Sequence, residues 1–111
     1  MDTLENYRQI IQNVLMPYTH ISYANVDAKN EVVFDQIHDR YCVLSGGWDD
    51  VRRIHSCLIH IDIINDKVWI QRDDTEDGIA YELEEAGIPK MSIVLGFKGP
   101  EVRQYTDYAV A

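Results

Sequence analysis

Between Trp69 and Pro89 the chain reads WIQRDDTEDGIAYELEEAGIP, with Asp73, Asp74, Glu76 and Asp77 crowded between an apolar run and a helical pattern. Carboxylates at this spacing suit a hard cation. Asp73, Thr75, Asp77, Gly78 and Glu84 fall at positions one, three, five, six and twelve of a calcium loop. Thr75, however, brings no carboxylate or amide to the third position, a strand-like run precedes the loop, and there is no second loop to pair with it. Acid-base catalysis would need carboxylates converging from different elements, which one contiguous turn does not provide. A helix start accounts for more residues. Ile79, Ala80, Leu83 and Ala86 share one helical face, so a helix is predicted over 76–86. Asp74 or Thr75 would cap it, the acids would face the positive end of its dipole at about 0.3–1 kcal/mol each, and Gly87 and Pro89 would end it.

Other groups with chemical potential are scattered. Strict alternation along the strand-like stretch 51–64 puts Val51, Arg53, His55, Cys57, Ile59, Ile61 and Ile63 on one face, read as the core side. Arg52, Ile54, Ser56, Leu58, His60, Asp62 and Ile64 take the other face. His55 and His60 would then be separated by the sheet, and a structural zinc site needs four ligands. Cys42 and Cys57 lie in apolar runs and read as small core residues rather than disulfide partners. Ser45-Gly46-Gly47-Trp48 lacks the following helix that a phosphate-binding turn requires, so a hairpin turn or bulge is expected there. Trp48, Arg52, Tyr105 and Tyr108 are the candidates for contact with a partner. The tail 105–110 is apolar enough that docking on its own domain is expected before docking elsewhere.

The elements that must position these groups follow from periodicity. Leu4, Tyr7, Ile11, Val14, Leu15 and Tyr18 recur at helical spacing, predicting an amphipathic helix over 3–16 capped by Asp2 or Thr3 and ended at Pro17. Residues 19–30 have no clear period and read as a loop or ragged edge strand. Four β-rich runs follow, 31–38, 40–49, 51–64 and 67–72, joined by connections too short for parallel crossovers. The expected fold is a two-layer α+β domain spanning 1–111: an N-terminal helix, a four-stranded antiparallel meander, a second helix near 76–86 and a short C-terminal strand.

Composition sets further bounds. The chain has 111 residues, 46% hydrophobic and 26% charged, with no low-complexity linker. Nineteen Asp/Glu against ten Lys/Arg leave a net charge of −9, which repels phosphate at long range and favours a protein partner over unaided DNA binding. The start, MDTLENYRQIIQNVL, has neither a basic leader nor an apolar span, so a cytoplasmic location is expected.

The stretches MDTLENYRQIIQNVL, GWDDVRRIHSCLIHIDIINDKVWIQRD and TEDGIAYELEEAGIPKMSIVLGFKGPEVRQYTDYAVA resemble the XisI family, the fdxN element excision controlling factors of cyanobacteria. GIAYELEEAGIPK and YTDYAVA are the most specific parts. The resemblance implies a small cytoplasmic accessory protein acting with a second, nuclease-like factor, XisH, while a separate recombinase exchanges the strands. It implies no catalytic residue and no cofactor. Two other roles remain open: a DNA-binding recombination cofactor using Arg40, Arg52 and Arg72, and a calcium-binding regulatory domain using Asp73, Asp77 and Glu84.

Overall fold

The structure, a computed structural model, describes residues 2–111. Helix α1 spans Thr3–Leu15, its first amides met by Asp2, whose Oδ1 accepts from the Leu4 amide at 3.0 Å. Pro17 converts the continuation into a 3-10 turn over Met16–His20. The strands follow: β1 (Asp27–Asp35), β2 (Arg40–Asp49), β3 (Arg52–Ile64) and β4 (Lys67–Asp73), each antiparallel to the next. The β3–β4 hairpin turns on Asn65 and Asp66 at φ 50° and 66°, the doubly left-handed pair that matches strand twist. Helix α2 (Ile79–Glu85) then crosses back to β5 (Ile93–Leu95), which pairs parallel with β4, giving the order β1-β2-β3-β4-β5. A last turn of helix, α3 (Pro100–Arg103), leads to Ala109, whose amide donates to the Ile93 carbonyl at 2.9 Å on the outer side of β5.

The α+β architecture, the N-terminal helix and the meander are as the periodicity indicates. The expected short C-terminal strand is present as β5; its parallel pairing with β4 is an addition, for its three buried residues are too few to show a period. Tyr7, Ile11 and Leu15 of α1 and Ile79, Ala80 and Leu83 of α2 pack on Tyr41, Val43, Ile59, Ile61, Val68 and Ile70, all within one cluster. This is the covered face of the sheet. Arg8 fastens α1 to the β1–β2 connection by a two-pronged bond to Asp39, at 2.8 and 3.2 Å, and the Tyr41 hydroxyl donates to the same carboxylate at 2.9 Å.

Alternation on β3 departs from expectation. Val43 pairs with Ile59 but Leu44 pairs with Cys57, so Leu58 is an extra residue opposite this step. Such a bulge inverts the side-chain parity beyond it. Arg53, His55 and Cys57, expected on the core side, lie on the opposite face, while Ile54, Ser56 and Ile59 continue the covered one. Cys42 and Cys57 are therefore not core residues; both are free, half-buried thiols on the face away from α1 and α2. Gly46 and Gly47 also differ from expectation, sitting inside β2 rather than in a turn. The backbone of β1 passes so near Gly47 that a Cβ there would stand 2.0 Å from the Asp27 carbonyl oxygen.

Candidate interaction surfaces

The acidic turn resolves into a capping carboxylate, Asp73, one paired with Arg72, Asp74, and two that form no ion pair among the described residues, Glu76 and Asp77. The helix begins at Ile79, three residues later than predicted, with Gly78 at its N-cap and no side-chain bond from that position. Asp73 supplies the cap from a distance. Its Oδ2 accepts from the Ile79 amide at 2.8 Å and its Oδ1 from the Thr75 amide at 2.9 Å, so neither Asp74 nor Thr75 is the cap. The left-handed Gly78, φ 86°, breaks helical geometry just before Ile79 and keeps the helix from starting sooner. At the other end Gly87, φ 118°, and the Ile88 amide bonded to the Leu83 carbonyl at 3.0 Å close the helix as predicted.

Residues for a calcium loop do not gather. Asp73 is spent on amides, and Glu84 accepts from the Tyr108 hydroxyl at 2.7 Å and lies 3.8 Å from Lys90 Nζ. Among the described residues no group of three or more His, Cys, Asp or Glu is close enough to hold a metal ion.

Asp74, Glu76 and Asp77 instead line an open groove of about 770 Å³ with Glu82 and Glu85 of α2. Its apolar side is Tyr18, Ile21, Tyr23, Leu58 and Tyr81. Tyr81 is 64% exposed, and the Tyr18 hydroxyl donates to Glu82. Burial, reinforced by that carboxylate, raises the Tyr18 phenol well above its usual range. The groove thus combines aromatic faces with five carboxylates, a surface suited to a cationic side chain. Sequence reasoning missed it. The signal was faint: Tyr18 and Tyr23 are far from Tyr81 in the chain, and only the crossover of α2 brings them together.

On the other face, the strands present Lys29, Arg40, Arg53, Lys67 and Arg72 with Asp27, Glu31, Asp35 and Asp62. Half of the ten basic residues but only four of the nineteen acids are therefore here, leaving five bases against fifteen acids elsewhere. Buried Asp62 accepts from His60 Nε2 at 2.8 Å and Gln71 Nε2 at 3.3 Å, with Arg40 Nε at 3.5 Å. Because of the bulge His55 and His60 share this face, contrary to the alternation argument. A hollow of about 410 Å³ lies over Gly46, walled by Trp48, Arg53, His55 and Lys29.

The four partner-contact candidates do not converge. Trp48 is on the open face, 49% exposed, beneath the Arg53 guanidinium at 5.4 Å. Arg52 points to the covered-face side and donates to Asp49 at 3.2 Å. Tyr105 and Tyr108 belong to the tail at the opposite edge: Tyr105 is 83% exposed, whereas Tyr108 packs on the domain's own core with its hydroxyl bonded to Glu84. Of the arginines considered for DNA, Arg72 is held by the Cys57 carbonyl at 2.7 Å and Asp74 at 2.8 Å, and Arg52 does not share a face with Arg40.

With this geometry in place, the family model for the XisI protein matches residues 1–110. The chain belongs to the XisI family. The crystal structure of a XisI-like protein from Anabaena variabilis superposes with TM-score 0.88 at 35% identity, covering 98% of this chain and all of that one. The fdxN element excision controlling factor XisI from the same organism superposes with TM-score 0.83 at 33% identity, over 99% of this chain and all of that one. No curated protein matches. Among the described residues no helix is long and apolar enough to cross a membrane.

Proposed function

We propose that this XisI-family chain is a non-enzymatic accessory protein that controls excision of a DNA element by binding a XisH-like partner. The observation that carries the reading is the likeness to a solved excision controlling factor over 99% of this chain and all of that one. The distribution of charge supports a protein-binding mode. Ion pairs and caps occupy Arg8, Asp39, Asp62, Asp73 and Asp74, while Glu76, Asp77 and Glu85 are exposed beside the tyrosines of the groove. A basic segment of the partner fits there, steered by the fifteen acids outside the open face.

Co-expression with a XisH-like protein is the test. A complex that survives purification at low salt and weakens as salt rises supports the reading. Asp77→Lys with Glu85→Lys should slow association and flatten the salt dependence. Absence of association at micromolar concentration overturns it, and a mobility shift of duplex DNA by the protein alone at physiological salt would favour the DNA-binding role.

A further inference from the structure

The two edges of the sheet end differently. Outside β5 lies the tail, with the Val94–Ala109 bridge and the Ala109 amide bond to Ile93. Outside β1 no strand is bonded among the described residues, although the turn Met16–His20 and the residues after it lie against it, Asn30 donating to the Tyr18 carbonyl at 2.9 Å and bonding the Tyr23 hydroxyl. Its nine residues pair with β2 in one unbroken register from Asp27↔Trp48 to Asp35↔Arg40, and among the described residues no other backbone hydrogen bond reaches them. Edge strands are ordinarily shortened, bulged or interrupted by proline because a row of free amides and carbonyls invites pairing. β1 holds no proline, no residue of positive φ and no register shift; what guards it is the charge of Asp27, Lys29, Glu31 and Asp35.

The side chains along this edge are specific about what would fit. Ala28, Asn30, Val32 and Phe34 face the helices, while Lys29, Glu31 and Val33 face the open side. Lys29 and Glu31 are exposed and form no ion pair among the described residues.

We infer that β1 pairs antiparallel with β1 of a second copy about a two-fold axis at Asn30, joining the two sheets into one. Keeping both helix layers on the same side of the joined sheet requires the axis to pass through a residue rather than between residues. An axis at Asn30 sets Lys29 opposite Glu31 of the second copy, twice, and Ala28 opposite Val32, twice, so charges attract and the apolar strip continues. One residue onward, at Glu31, the axis would oppose Glu31 to itself and Asp27 to Asp35. At Lys29 it would oppose lysine to lysine and Asp27 to Glu31. An axis at Val32 would offer Lys29 only Asp35, which already accepts from the Ile37 and His38 amides and the His38 ring at 3.0, 3.1 and 2.7 Å. Charge therefore selects one register among the four. Asn30 itself is satisfied within its own chain, donating to the Tyr18 carbonyl at 2.9 Å, so the axis needs nothing further from it.

This association is separate from the accessory role and is tested separately, with the purified chain alone. Sedimentation velocity over a micromolar concentration series should show a reversible monomer–dimer equilibrium. Lys29→Glu and Glu31→Lys, each turning two attractive pairs into repulsive ones, should each raise the dissociation constant about tenfold or more, and the double exchange should restore it. Thermal melting of each variant checks that the fold is intact, since both side chains are exposed. A monomer at all concentrations overturns the inference, including the case in which the edge accepts only some other protein. So does a dimer that ignores the single reversals or is not rescued by the double exchange.

Discussion

The sheet's two faces are made from the same strands but are held by different forces. On the covered face, Tyr41, Val43, Ile59, Ile61, Val68 and Ile70 have no exposed surface and interlock with α1 and α2. On the open face the strands carry half-buried thiols, histidines, arginines and carboxylates that satisfy one another laterally, as around Asp62. Burial of apolar area stabilises the first; the second is a polar mosaic whose members can change without leaving a void. Stability should therefore reside on one side, and freedom to vary and to bind on the other.

The sharpest way to break that contrast is to hollow the covered face. Ile61→Ala should cost about 2–5 kcal/mol in chemical denaturation, and His55→Ala on the open face within about 0.5 kcal/mol. A comparable loss from both would erase the distinction. Asp73→Ala should come next, at about 1–2 kcal/mol, because the carboxylate anchors the amides of Thr75 and Ile79 and so the start of α2; Asp74→Ala should be nearly neutral.

Titration separates the groups tied into the helix-bearing side from the rest. Burial, with Glu82, Asp39 and Glu84 adding to it respectively, raises the phenols of Tyr18, Tyr41 and Tyr108. A raised folded-state value means stability that is complete below the unfolded phenol range, near pH 10, and is lost as pH climbs above it. Alkaline denaturation should thus begin above about pH 10, and difference spectra should show three of the seven tyrosines titrating late. Asp39 behaves in the opposite sense. The Arg8 guanidinium holds its carboxyl below the ordinary range, so that contribution is present above about pH 4 and disappears as pH falls through the lowered value. Arg8→Gln should lower the melting temperature at neutral pH and lose its effect in strong acid.

The smallest effect concerns the open face alone. Burial pushes the Cys42 thiol up to about 11 and also raises Cys57, so at neutral pH both should react slowly with iodoacetamide compared with a free cysteine. Rapid alkylation of the folded protein would show this face to be looser than its geometry suggests.

Most of the architecture was legible because it is local. Apolar spacing marked α1, turn residues at Asp39, Asp50 and Asn65-Asp66 marked the hairpins, and β2 was bounded correctly at Arg40 and Asp49. What escaped depends on partners distant in the chain. The start of α2 was misplaced because its capping carboxylate, Asp73, belongs to the preceding strand. The groove was invisible because its tyrosines meet only through a crossover. The bulge did leave a trace: apolar residues at 54 and 58 are even, those at 59, 61 and 63 are odd, and the adjacent Leu58-Ile59 pair is where the parity changes. Assuming uninterrupted alternation hid it and misassigned the faces of Arg53, His55 and Cys57.

That single supernumerary residue also constrains how chains of this family can differ in length. Because Leu58 decides which way every side chain from Arg52 to Cys57 points, losing or gaining one residue there would turn the whole hairpin tip inside out. Length variation in this arm should therefore arise in steps of two, or as a compensating change in β2 opposite.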